Sequence, residues 1–169
     1  MRKTLITLAL VLGMGLPVLA QENSKAEIFG GYQYSRISGA NFNGWTGAFT
    51  ANVNNWLGVK ADISGAYKSE SGASLHEYNF LFGPQVSYNH SDKVKPFAHA
   101  LFGVSHAGAG FFGLSATENA FGMALGGGVD VGFNKNIAVR LVQADYFLTR
   151  FGGASQNNAR ISTGLVFRF

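Results

Sequence analysis

The stretch Leu57-Gly58-Val59-Lys60-Ala61-Asp62-Ile63-Ser64-Gly65-Ala66-Tyr67 decides the fold. Its odd positions, Leu57, Val59, Ala61, Ile63, Gly65 and Tyr67, are apolar or small, while its even positions include Lys60, Asp62 and Ser64. Successive side chains of an extended strand point to opposite faces, so a period of two describes one apolar and one polar face. The alternation recurs in Trp45–Val53, with Trp45, Gly47, Phe49, Ala51 and Val53 opposite Thr46, Ala48, Thr50 and Asn52. It recurs again in Ile161–Phe169, where Ile161, Thr163, Leu165, Phe167 and Phe169 oppose Ser162, Gly164 and Arg168. Working outward gives about eight such runs, near residues 26–35, 44–53, 56–67, 76–88, 94–106, 120–133, 137–149 and 158–169. Most are longer than the ~5–6 residues usual for strands of soluble domains. They match the ~9–11 that a tilted strand needs to cross a bilayer.

Composition agrees. The chain has 169 residues, 47% hydrophobic, 14% aromatic and 13% charged, with 23 Gly and no Cys. A soluble domain carries roughly 25% charged residues. So little charge beside so many aromatics excludes disorder, and the absence of Cys excludes a disulfide scaffold or a thiolate metal site. Met1–Ala20 reads as a cleaved secretory signal, with Arg2 and Lys3 ahead of the apolar run Leu5–Leu16 and Val18-Leu19-Ala20 before Gln21. As a membrane anchor that run falls short of the ~18 residues needed. Residues 21–169 then form one domain. Removing Arg2 and Lys3 leaves 11 Lys and Arg against 9 Asp and Glu, a net of +2. No basic stripe suggests nucleic acid.

The connections alternate in length. Asn54-Asn55, Asn89–Lys93 and Asn134-Lys135-Asn136 are short, whereas those near 36–43, 68–75, 107–119 and 150–157 are longer. Short periplasmic turns and longer outer loops characterise outer-membrane barrels. Tyr34, Trp45, Tyr67 and Tyr78 fall at one set of strand ends, and Trp56, Tyr88, Phe133 and Phe169 at the other. Two interfacial girdles need that arrangement. The expected fold is all-β: an eight-stranded, antiparallel, up-and-down transmembrane β-barrel with a closed, polar-filled lumen. The alternative, a soluble β-sandwich or lipocalin-like barrel, would turn its apolar face inward.

With apolar residues toward lipid, the lumen receives Glu27, Lys60, Asp62, Glu77, Asp130, Arg140, Arg160 and Arg168. Eight strands enclose a space that side chains just fill, and an unpaired charge there is costly. The four acids and four bases are therefore expected to pair as a plug. Gly122, Ala124, Gly126, Gly128 and Gly132 on the inward side of 121–133 leave room for the long bases. One strand breaks the alternation: with Arg140 inward, Gln143 and Asp145 would face lipid. A β-bulge near Leu141-Val142 would return both to the lumen and turn Tyr146 and Leu148 outward; otherwise Asp145 must lie above the hydrocarbon.

Motifs for chemistry are sparse. Gly108-Ala109-Gly110-Phe111-Phe112-Gly113 spells a dinucleotide fingerprint without its strand–helix frame, and reads instead as a flexible apolar outer loop. Ser105-His106 at an outer strand end raises a lipid A-modifying enzyme as an alternative. The known outer-membrane deacylases carry His-x-Ser, and a Ser–His pair needs an orienting acid. His76, His90, His99 and His106 have no metal-type spacing. His99 is expected to hydrogen-bond within the lumen and His90 to sit in an exposed turn. Neither a metal nor a cofactor is expected, nor enzyme activity.

Asn55–Gly65, Phe80–Tyr88, Pro96–Gly103, Ala124–Val131, Val139–Phe151 and Thr163–Phe169 resemble the small eight-stranded outer-membrane β-barrels of diderm bacteria. The family includes the transmembrane domain of outer membrane protein A, outer membrane protein X and many barrels of undefined role. The resemblance implies a monomer in outer-membrane lipid, inserted after export by the barrel-assembly machinery. That machinery would read Leu165, Phe167 and the terminal aromatic Phe169. It further implies a structural or surface-interaction protein whose loops meet an unnamed partner, with a small-solute pore as the other alternative. The sequence ends at the barrel, so no cell-wall tether is expected.

Overall fold

A computed structural model of the chain describes residues 24–169, apart from 38, 71–72, 89–92, 112–113 and 152–153. The signal segment 1–20 and His90 lie outside the described residues. Eight strands follow in chain order: β1 (Ala26–Ile37), β2 (Ala40–Asn52), β3 (Leu57–Glu70), β4 (Ala73–Ser87), β5 (Val94–Phe111), β6 (Leu114–Gly132), β7 (Ile137–Phe151) and β8 (Ala154–Arg168). Each pairs antiparallel with the next, and β1 closes on β8 from Glu27 opposite Arg168 to Arg36 opposite Ala159. Closure leaves no strand edge to be satisfied in lipid.

The period of two translates directly into faces. On β3, Lys60, Asp62, Ser64 and Ala66 are buried, while Val59, Ile63 and Tyr67 are exposed. Phe80 and Phe82 are 62% and 66% exposed, and large apolar side chains of every strand lie on the outside. A soluble barrel hides such residues, so the exterior is a lipid-facing one.

Two girdles bound this band. At one end Trp45 Nε1 donates to Tyr67 Oη at 3.2 Å, and Tyr67 Oη donates to Tyr78 Oη at 3.2 Å. Trp56, Tyr88, Phe133 and Phe169 stand exposed at the other end. The path from Trp56 to Tyr67 at ~3.3 Å per residue, tilted ~45°, spans roughly 25 Å, the height of an outer-membrane apolar band.

The periplasmic turns at Asn54 and Asn134 share one chemistry. Asn54 Oδ1 accepts from the amides of Trp56 (3.0 Å) and Leu57 (2.8 Å). Asn134 Oδ1 accepts from those of Asn136 (2.9 Å) and Ile137 (2.8 Å). An Asn side chain thereby replaces a backbone acceptor in each turn.

The four longer outer connections are corrected by the structure. β1 runs to Ile37 and β2 resumes at Ala40, and β5 runs to Phe111 before β6 starts at Leu114. Ladder pairing continues through Ser69 opposite Ser74 and Gly110 opposite Ser115. Above the outer girdle the sheet no longer needs an apolar outer face, so hydrophobic alternation fades while backbone pairing persists. Gly108–Phe111, expected in a flexible loop, belongs to β5. Gly39, at φ 82°, takes the left-handed conformation that the tight β1–β2 turn requires.

The bulge is present. Val129 pairs with Val142 and Asp130 with Arg140, while Arg140 pairs with Gly164 and Gln143 with Ser162. Leu141 and Val142 both face outward at 58% and 44% exposure, and Gln143 and Asp145 are buried inside.

Candidate functional site

Inside the barrel, polar side chains from six strands form a continuous chain. At the periplasmic end Arg168 Nε lies 3.3 Å from Glu27 Oε1, and its Nη2 lies 3.8 Å from Asp130 Oδ2. Asp130 takes a two-pronged contact from Arg140, with Nε at 2.8 Å and Nη2 at 3.1 Å. The Arg140 guanidinium sits 4.2 Å from the Phe29 ring centroid and 4.1 Å from that of Phe97, so its faces meet π systems while its edge meets carboxylate. Arg140 Nη1 donates to Gln143 Oε1 at 2.7 Å, and Gln143 Nε2 donates to Asp145 Oδ2 at 2.8 Å. Arg160 then joins two acids, donating from Nε to Asp145 Oδ2 (2.8 Å) and from Nη1 to Asp62 Oδ1 (2.9 Å).

Lys60 reaches across the full width. Its Nζ donates to Gln143 Oε1 at 3.3 Å and lies 3.5 Å from His99 Nδ1, while His99 Nε2 lies 3.0 Å from Asp145 Oδ1. β3 and β7 are opposite walls of an eight-stranded ring, so the Lys60–Gln143 contact spans a diameter. Apolar clusters flank the ions: Phe29, Ala48, Ala138 and Val166, and separately Leu81, Leu101, Ala124 and Phe147.

Of the eight charges read from the sequence as inward, all are buried. Glu77 departs from the expected pairing: its Oε1 has no hydrogen-bond partner among the described residues. Lys60 Nζ meets an amide and an imidazole rather than a carboxylate. Two further buried charges join the set, Asp145 and Lys95. Asp145 becomes visible only if the bulge is assumed, and Lys95 sits next to the turn, where the alternation begins. Parity alone also places the uncharged Gln33, Gln85 and Asn79 inward, and all three are buried.

Ser105 and His106 do not form a pair. They are neighbours on β5 and face opposite sides. Ser105 is buried and donates to Asn79 Oδ1 at 2.6 Å, whereas His106 Nδ1 lies 2.7 Å from Asn119 Oδ1 on the outside. A nucleophile and base on opposite faces of a strand cannot share a proton. Among the described residues no group of three His, Asp or Glu is placed to hold a metal ion.

At the outer end the lumen opens into a cavity of about 590 Å³ lined by Ile37, Phe42, Leu75, Glu77, Ala107 and Glu118 among others. Ile37, Phe42 and Ala66 pack as a small apolar cluster on its wall. These inward apolar side chains lie above the girdle, where lipid no longer enforces the alternation.

A closed antiparallel barrel with an apolar belt, two aromatic girdles and an inward polar face is a bacterial outer-membrane protein. The chain belongs to the outer membrane protein β-barrel domain family, whose model matches residues 6–169. Among solved structures, the attachment invasion locus protein Ail of Yersinia pestis superposes with a TM-score of 0.63 at 21% identity, covering 87% of this chain and 99% of its own. Neisserial surface protein A gives 0.68 at 13% identity, with 85% and 96% covered. OprG of Pseudomonas aeruginosa gives 0.56 at 12%, with 89% and 99% covered. No protein of curated function matches.

Proposed function

We propose that this barrel is a non-conducting, monomeric surface-interaction protein of the outer membrane, without enzymatic activity. The observation that carries the reading is the Lys60–Gln143 contact across the barrel diameter, with Arg160 bridging Asp62 and Asp145 beside it. Buried charges so engaged are held by several kcal/mol against separation, which disfavours a water-filled path. The strands continue past the outer girdle and carry a rim and cavity into the extracellular space, so the exposed end is the working surface. Ail has been crystallised with the heparin analogue sucrose octasulfate. In this chain Glu77 and Glu118 line the cavity, and carboxylates disfavour a polysulfated occupant there.

Leu165, Phe167 and Phe169, all outward and exposed on β8 or just beyond it, are proposed as the signal read by the assembly machinery. Planar-bilayer recording of the purified barrel tests the main reading. No stable conductance is expected, and steady porin-like steps would overturn it.

A further inference from the structure

We infer that the outer-mouth cavity binds an organic ammonium ion carrying a short apolar body. The inference rests on the surface-interaction reading and names the ligand chemistry of that surface. The cavity, about 590 Å³, lies within the ~300–1,000 Å³ range of small-molecule sites. Its walls include Ile37, Phe42, Leu75 and Ala107, which favour hydrocarbon. One inward step below Leu75 on β4 stands Glu77, only 5% exposed, with Oε1 lacking a hydrogen-bond partner among the described residues.

A buried carboxylate oxygen without a donor is costly. Asn79 hydrogen-bonds the Glu77 carboxyl, which leaves Oε1 as the open oxygen, and Arg160, the cation that acts on it from below, is already engaged by Asp62 and Asp145. A ligand N–H⁺ directed at Oε1 would supply both the donor and the opposite charge. A hydrated inorganic cation gains nothing from the apolar wall, and a carboxylate or sulfate ligand would be repelled. Glu118 on the same cavity adds a second negative charge that attracts cations to the mouth. Lys68, half-buried on β3 nearby, has an interaction of its own. The ligand class is therefore an alkyl or aryl ammonium, free or presented as a lysine side chain.

The test is calorimetric titration of the barrel in phosphatidylcholine nanodiscs with hexylammonium, hexanol and hexanoate, with empty discs subtracted. Hexylammonium should bind at one site at least tenfold more tightly than hexanol, and hexanoate should not register. Glu77→Gln should erase the preference for the cation. Leu75→Lys, at a half-exposed position that does not challenge folding, should weaken hexylammonium similarly by placing an internal ammonium beside Glu77. Equal binding of hexanol and hexylammonium, or a preference retained in both variants, would overturn the inference. The silence of the barrel in bilayers is measured separately, so a failed titration leaves the surface reading standing.

Discussion

Asp145 stands beside Arg160 inside the lumen, Oδ2 2.7 Å from Nη2, although strict alternation from Arg140 would place it in lipid. The bulge at Leu141-Val142 makes the difference, because one extra residue on β7 reverses the parity of everything after it. The pair then serves as the hub of the upper lumen: Asp145 also meets His99 and Gln143, and Arg160 also meets Asp62 and Ser64.

Breaking the hub should be costly. Arg160→Met leaves Asp62 and Asp145 buried without their main counter-charge, and Asp145→Ala leaves His99, Gln143 and half of Arg160 without an acceptor. Removing one member of a buried pair costs about 3–5 kcal/mol. Equilibrium urea unfolding in lipid vesicles should show that loss for both, while Lys25→Ala on the exposed periplasmic side changes little. A loss under 1 kcal/mol for both would mean that water, not protein, satisfies these groups.

The bulge yields a sharper comparison between two deletions. Without Leu141, β7 becomes regular and still carries Arg140, Gln143 and Asp145 inward. Without Ala144, restoring Asp145 to the lumen would place Val142 inside and Gln143 toward lipid. An amide without partners in hydrocarbon costs roughly 2–7 kcal/mol. Deletion of Leu141 should therefore refold with nearly the wild-type yield and deletion of Ala144 poorly, as read by heat-modifiable gel migration. Equal yields would show that the bulge does not determine the register.

Neighbouring glycines on β1 should respond oppositely to alanine. Around Gly30 an added Cβ meets no atom within 4 Å, whereas at Gly31 it would lie 2.1 Å from the Thr163 carbonyl oxygen. Gly30→Ala should be neutral or stabilise by up to ~1 kcal/mol, from lower unfolded-chain entropy and better strand propensity. Gly31→Ala must push β1 from β8 at the closing seam and should cost about 1–3 kcal/mol. The two unfolding midpoints in urea decide the matter.

The closed barrel and most of its inward set were legible because the bilayer enforces alternation. A one-residue slip would put Lys60 or Arg160 into lipid, so the pattern is sharp wherever hydrocarbon lies outside. Above the girdle that constraint lapses. Ser69, Ser74, Gly110 and Ser115 continue the ladder through backbone pairing, which leaves little trace in side-chain polarity. Those stretches read as loops for that reason. The apolar mouth residues Ile37 and Phe42 fell in the same stretches. Parity puts Glu77 on the inward face, where it is buried, yet its lack of a hydrogen-bond partner at Oε1 among the described residues depends on which side chains of other strands reach its height. Alternation along one strand carries no such information.

Phe169 separates assembly from stability. It follows β8, where its amide donates to the Ala26 carbonyl at 2.9 Å and its carbonyl accepts from the Lys25 amide at 2.6 Å. Its ring is 66% exposed at the periplasmic girdle, so it contributes to the membrane interface rather than to the lumen. Moving a fully buried ring to water costs on the order of 1.5–3 kcal/mol, and an interfacial ring less. Phe169→Ala keeps the backbone bonds that help close β8 on β1, and the purified variant should refold into detergent with little loss. In the cell the situation differs, because before closure β1 and β8 present unpaired edges that lipid cannot satisfy. Insertion must then be assisted, and the terminal aromatic is part of the assembly signal proposed above. Phe169→Ala at low expression should lower outer-membrane levels several-fold while in-vitro refolding stays near wild type. Equal membrane levels would remove Phe169 from the assembly signal, and parallel losses in both assays would make it a stability residue instead.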